Sequence, residues 1–143
     1  MGPAIRDAQS EDAAAVAALL GELGYPASAA QASARLERLA ADPATRTVVA
    51  TLDGEVVGVA ALHVMHIVED DAPGAQLIAI VVSGRHRRHG VGAALMQALE
   101  DEARARGCGV VALGTGLRRA DAHAFYERLG YAFSGRRYKK RLD

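Results

Sequence analysis

The chain has 143 residues, half of them apolar, with 17 basic and 17 acidic side chains and one cysteine, Cys108. A chain of that length is expected to form one domain that buries roughly two-thirds of its unfolded surface, with no help from disulfides or metals. The lone cysteine excludes an internal disulfide and a cysteine-rich metal site, and the balanced charge argues against a protein that coats nucleic acid or an anionic membrane.

At the start, residues 1–10 hold no apolar run of the kind a signal peptide needs. Arg6 stands where N-myristoylation wants Ser or Thr. No stretch is long and apolar enough to span a bilayer, so a cytoplasmic protein is expected. Residues 4–8 suit a short first strand. Ser10 then reads as a helix N-cap with Glu11 and Asp12 in the first turn, where the helix dipole favours acids. Val16, Leu19, Leu20 and Leu23 follow at helical spacing, and Gly24 and Pro26 stop that helix. A second helix is expected over residues 28–41, closed by Asp42-Pro43. Residues 47–52 and 55–68 are β-prone, with Asp53-Gly54 between them as a tight-hairpin signal. Residues 77–82 form a continuous apolar run, expected as a central strand buried on both faces. A helix over about 90–106 has Val91, Leu95, Leu99 and Ala103 inward, and Gly107 ends it. Residues 110–113 read as another buried strand. Ala122, Phe125 and Leu129 mark a short helix closed by Gly130, and the tail, 131–142, reads as one or two strands. The order predicts an α/β fold of one domain, a central mixed sheet with helices on its faces.

Chemistry concentrates in residues 77–95, LIAIVVSGRHRRHGVGAAL. A strand runs into a loop and the loop into a helix, whose N-terminus offers unpaired N–H groups and partial positive charge to an anion. Gly90 and Gly92 let a ligand's phosphates approach the backbone closely. Arg85, Arg87 and Arg88 add positive charge, and no acid occurs between Asp71 and Glu100. An ordinary solvated basic loop is the competing reading. The dinucleotide fingerprint fails because Leu95 occupies its third glycine, and no P-loop lysine is present.

The run Arg87-Arg88-His89-Gly90-Val91-Gly92 resembles the Arg/Gln-x-x-Gly-x-Gly/Ala motif of the GNAT N-acetyltransferases. Residues 122–131, AHAFYERLGY, resemble that family's second signature, Ala-x-x-x-Tyr-x-x-x-Gly-Phe/Tyr. The resemblance covers about residues 76–133. It implies a single-domain GNAT fold over residues 1–143, with its mixed sheet splayed at a β-bulge, and acetyl-CoA as co-substrate without a metal.

By the same resemblance, the backbone amides of Arg87, Arg88, His89, Gly90, Val91 and Gly92 would wrap the coenzyme's pyrophosphate. The guanidinium of Arg87 or Arg88 would add charge-assisted bonds. Backbone groups of Ile80, Val81 and Val82 would pair with the pantetheine arm, while their side chains belong to the core. Tyr126 would protonate the departing thiolate and also touch the donor, against the reading that it merely packs beside Phe125. A family carboxylate is missing from this strand, where Ile78 and Ala79 stand. Glu69 acting through water is the chosen base, with Asp70, Asp71, His63, His66 and His123 as alternatives. Arg119 stands where relatives often carry Asn, and would bind a coenzyme phosphate or point to solvent. Cys108 lacks any neighbouring base signal for a nucleophile. The expected acceptor is a small-molecule amine, ahead of a protein N-terminus or lysine. A non-catalytic acyl-CoA sensor is the other alternative. Neither nucleic acid nor membrane is an expected partner, and a homodimer is left open.

Overall fold

In a computed structural model of the protein, residues 2–114 and 120–142 are described. The chain divides into two compact units, Met1–Ala112 and Leu113–Asp143. In chain order the first unit contains β1 (Ala4–Asp7), α1 (Ala13–Leu23), α2 (Ala29–Ala41), β2 (Thr45–Leu52), β3 (Glu55–Met65), β4 (Gly74–Val82), α3 (Val91–Ala105) and β5 (Val110–Ala112). The sheet runs β1-β2-β3-β4-β5. Its first four strands are antiparallel, and β5 lies parallel to β4. That last pairing requires a crossover, which α3 supplies.

Strand alternation explains why helices cover both faces. Val49, Val59 and Val81 join Ala13, Val16 and Leu19 of α1 and Ala32 and Leu36 of α2 in one apolar cluster. Gly58, next to Val59, faces the other way. A Cβ on it would lie 3.0 Å from both Val91 and Leu95 of α3, so a glycine is what lets α3 sit down on the sheet.

The local signals act as read. Asp53 and Gly54 both take left-handed φ, 51° and 82°, the turn that suits a two-residue hairpin. Gly24 ends α1 at φ 100°. Ser28 caps α2: its Oγ accepts from the Gln31 amide at 3.0 Å, and Gln31 Oε1 accepts from the Ser28 amide at 2.9 Å.

Four expectations are corrected. The start of the first helical segment lies one residue earlier: Gln9, not Ser10, precedes a 3-10 turn over Ser10–Asp12 that leads into α1. Asp12 decides this, because its carboxylate accepts the Gln9 amide at 2.8 Å and both Arg6 Nη groups at 2.9 Å. β4 is not buried on both faces, since Ile78 is 45% exposed. The β3–β4 register slips between Ala61 and Leu62, leaving Ile78 without an opposite number as a bulge. β5 is an exposed edge, with Val110 54% exposed. It pairs with β4 only over residues 74–76, so within the first unit no described strand pairs with that edge of β4 from Leu77 to its end.

In the second unit, α4 (Ala120–Arg128) is followed by Gly130 at φ 95°. Residues 131–142 form no strand, the fourth correction. Alternating β-prone residues make a strand only where a partner ladder accepts them, and the five cations between Arg136 and Arg141 stand in solvent instead. No helix among the described residues is long and apolar enough to cross a membrane.

Candidate functional site

The turn between β4 and α3 is built almost entirely from backbone. Ser83 continues the β3 pairing through its amide to the Val57 carbonyl at 2.8 Å. Residues Gly84–His86 make a 3-10 turn, closed by the His86 amide on the Ser83 carbonyl at 2.9 Å. The chain extends at Arg87 and then reverses through two left-handed residues, Arg88 at φ 68° and Gly90 at φ 76°. A non-glycine residue in that region is strained, and such strain persists where the surrounding fold imposes it.

Gly90 then opens α3. No side chain caps this end, and its first turn holds no acid. The first helical bond runs from Ala94 to Gly90, so the amides of Val91, Gly92 and Ala93 lie outside the helix's own ladder. Among the described residues nothing lies within 4 Å of where a Gly90 Cβ would stand, which leaves space against the backbone. Amides, dipole and space of this kind suit an anion.

The charges sort themselves around it. Arg85 turns to Glu55 at 3.9 Å. Arg87 and Arg88 are exposed and have no acidic partner among the described residues. They remain available to an anion. The expected loop residues 87–92 are therefore brought together in one turn. Ile80, Val81 and Val82 lead into it along β4; the Val81 side chain is in the core as expected, while those of Ile80 and Val82 are only half-buried. A bulge, a strand edge unpaired within the first unit and an uncapped helix start suit an extended ligand that ends in phosphate groups.

Glu69 lies exposed in the turn before β4, at the end of that strand away from the loop. The two ends of a nine-residue strand are roughly 25 Å apart, so only a long ligand laid along β4 spans both. Several alternatives to Glu69 are occupied. Asp70 accepts the Ala72 amide at 3.0 Å. His63 Nδ1 lies 3.1 Å from Thr45 Oγ1 and 3.9 Å from Asp42. Asp42 itself is held below the ordinary carboxylate range, first by the Ala44 amide and then by the Thr45 hydroxyl. Asp71 and His66 are exposed.

Within the second unit, Tyr126 is 9% exposed on α4. Its ring meets Phe125 edge-on at 5.1 Å and Tyr131 at 6.0 Å. Arg119 lies outside the described residues. Cys108 follows α3, its amide bonded to the Ala103 carbonyl at 2.9 Å.

Two acids reach the loop that sequence order does not announce. Glu55 arrives from the β2–β3 hairpin, and Glu22 arrives from α1 with its Oε1 2.8 Å from the Gly84 amide, 62 residues away. No local pattern signals either contact, because both depend on how the layers stack. Elsewhere, a groove of about 510 Å³ is lined by Asp7, Leu36, Arg46, Thr47, Glu102 and Arg106, among others. Its charges neutralise one another: Arg46 bonds Asp7 and Glu102, and Arg106 bonds Glu102 at 2.6 Å. These arginines, Arg106 first, hold Glu102 below the ordinary carboxylate range.

The chain matches the model of the acetyltransferase (GNAT) family over residues 13–131. It is 34% identical to the aminoalkylphosphonate N-acetyltransferase of Salmonella typhimurium, over 96% of this chain and 90% of that protein. Among solved structures it resembles a transcriptional regulator from Bacillus halodurans, with TM-score 0.89 and 22% identity over 98% of this chain and 99% of the other. It also resembles a GNAT family acetyltransferase from Staphylococcus aureus, with TM-score 0.84 and 20% identity over 99% and 100%. At those identities the two structures speak for the fold alone.

Proposed function

Because the chain belongs to the GNAT acetyltransferase family, and is thus an acetyltransferase, we propose that it moves an acetyl group from acetyl-CoA to the primary amine of a small molecule. The observation that supports the donor half is the backbone turn over Arg87–Gly92, an uncapped helix start where, among the described residues, Arg87 and Arg88 meet no acid and nothing crowds Gly90. Acetyl-CoA supplies a thioester carbonyl for the amine to attack and a thiolate to leave.

The chain's own groups divide the remaining work. Amides of Arg87 to Gly92 hold the pyrophosphate, with Arg87 or Arg88 adding charge-assisted bonds. Backbone groups of Ile80, Val81 and Val82 hold the arm along the β4 edge, and an amide near Val82 stabilises the oxyanion. Tyr126 gives its phenolic proton to the thiolate, a role assigned from the second motif. A phenol and a thiolate of roughly similar basicity, near pKa ~9–10, exchange a proton readily. Glu69 stands at the opposite end of β4 from the amide near Val82, so it takes the proton that the attacking amine sheds only through a chain of waters along the strand. With Asp70 and His63 already engaged, it is the freer choice.

For the acceptor, the likeness to an aminoalkylphosphonate N-acetyltransferase at 34% identity supports a small amine over a protein terminus or lysine. The test is release of free thiol from acetyl-CoA with three acceptor classes: simple alkylamines, aminoalkylphosphonates, and peptides bearing an N-terminal or lysine amine. Turnover on small amines exceeding that on peptides is expected. Preference for peptides would move the acceptor to protein, and binding without turnover on any amine would favour a sensor. In the same assay Tyr126→Phe is expected to lower kcat about a hundredfold, while acetyl-CoA still binds.

A further inference from the structure

Between Asp71 and Glu100 the sequence has no acid, yet a carboxylate stands at the entrance of the donor loop. It belongs to Glu22, in the last turn of α1. Its Oε1 accepts the Gly84 amide at 2.8 Å. Gly84 opens the 3-10 turn that feeds Arg87 to Gly92, so this bond fixes the first free amide after the β3–β4 ladder ends. The glycine at 84 fits the arrangement. A Cβ there would stand 3.2 Å from the same Glu22 oxygen, close enough that the carboxylate must give by a few tenths of an ångström. Proline there would remove the donor altogether.

A carboxylate beside a seat for phosphate is electrostatically unfavourable, and solvent screening leaves the cost modest for an exposed group. Its presence has a geometric explanation. The loop holds two left-handed residues in succession around His89, and the turn before them carries no buried side chain to anchor it. We infer that Glu22 is a positioning residue for the donor loop, a latch from α1 that holds the Gly84 turn in the conformation that binds the coenzyme. The inference rests on the proposed role of the loop, and one of its readouts does not depend on that role.

The variants are Glu22→Ala, which removes the acceptor oxygen, Glu22→Gln, which keeps it without the charge, and Gly84→Ala, which crowds it. In the ligand-free protein, hydrogen exchange at the Gly84 and His86 amides is expected to be about three- to tenfold faster in Glu22→Ala and near wild type in Glu22→Gln, the size of one such bond. Calorimetry with acetyl-CoA is expected to show Kd raised by about the same factor in Glu22→Ala and largely restored in Glu22→Gln. Gly84→Ala should weaken binding alone but add little on top of Glu22→Ala. Unchanged exchange in Glu22→Ala would overturn the latch. So would faster exchange with acetyl-CoA bound as tightly as by wild type, or tighter binding by both Glu22 variants, which would make Glu22 a purely repulsive charge. Failure of wild type itself to bind acetyl-CoA would instead remove the proposed donor role, while the exchange data still decide whether the latch exists.

Discussion

Asp12 does three things with one carboxylate. It accepts the Gln9 amide, pairs with both Arg6 nitrogens, and starts the segment that becomes α1. It is 6% exposed, and the Arg6 bonds first, then the Gln9 amide, hold its carboxyl below the ordinary range against the opposing pull of burial. A depressed carboxylate stabilises the fold fully above its unfolded pKa, about 3.9, and that contribution fades as pH falls through the lower folded value. Asp12→Ala is therefore expected to cost about 1–3 kcal/mol at neutral pH, the lower part of the range for a broken buried pair because Arg6 is partly exposed. In thermal unfolding, the gap from wild type should narrow below about pH 4. A gap that stays constant into strong acid would mean the carboxylate's charge is not what matters. At this scale the sequence was legible where a short local signal suffices: Asp53-Gly54 turns the β2–β3 hairpin and Gly24 ends α1. Ser10 does not act as the N-cap, because Asp12 finds an arginine partner in β1 that local capping preference does not weigh.

At the scale of elements, α3 is both the crossover that makes β5 parallel and the helix whose uncapped start follows the glycine motif. Its closeness to the sheet depends on Gly58, where an added Cβ would meet Val91 and Leu95 at 3.0 Å and the Val81 carbonyl at 3.3 Å. Gly58→Ala is expected to cost about 1–3 kcal/mol in chemical denaturation through overpacking. Gly21→Ala in α1, where nothing lies within 4 Å, should gain about 0.5–1 kcal/mol. Equal effects at the two sites would contradict this packing. Periodicity placed all the helices and the β2–β3 hairpin within a few residues. It overstated β4 and β5, because an apolar run such as residues 77–82 reads the same whether both faces are covered or a bulge stands at Ile78. Within the first unit, the unpaired edge follows from register, which pairs β4 with β3 and β5 differently along its length.

Across the whole molecule, the balanced charge hides a local division. Among the described residues Arg87 and Arg88 have no acidic partner at the helix start, while Glu55 and Glu22 attend the loop's entrance. The motif and its strand-loop-helix context were legible in the sequence because both lie in one continuous stretch, from β4 through the turn to Gly90 at the start of α3. The acids that reach the loop from distant elements were not, since stacking of layers brings them there. Acceptor chemistry was less legible for the same reason.

The most direct test of the account is calorimetric titration of acetyl-CoA into the wild type and Gly90→Asp. Gly90 sits at φ 76°, so any side chain is strained there, and an aspartate also places negative charge at the helix start. The account predicts saturable binding by the wild type and at least tenfold weaker binding by a folded Gly90→Asp. No binding by folded wild type, or equal binding by both, would contradict it.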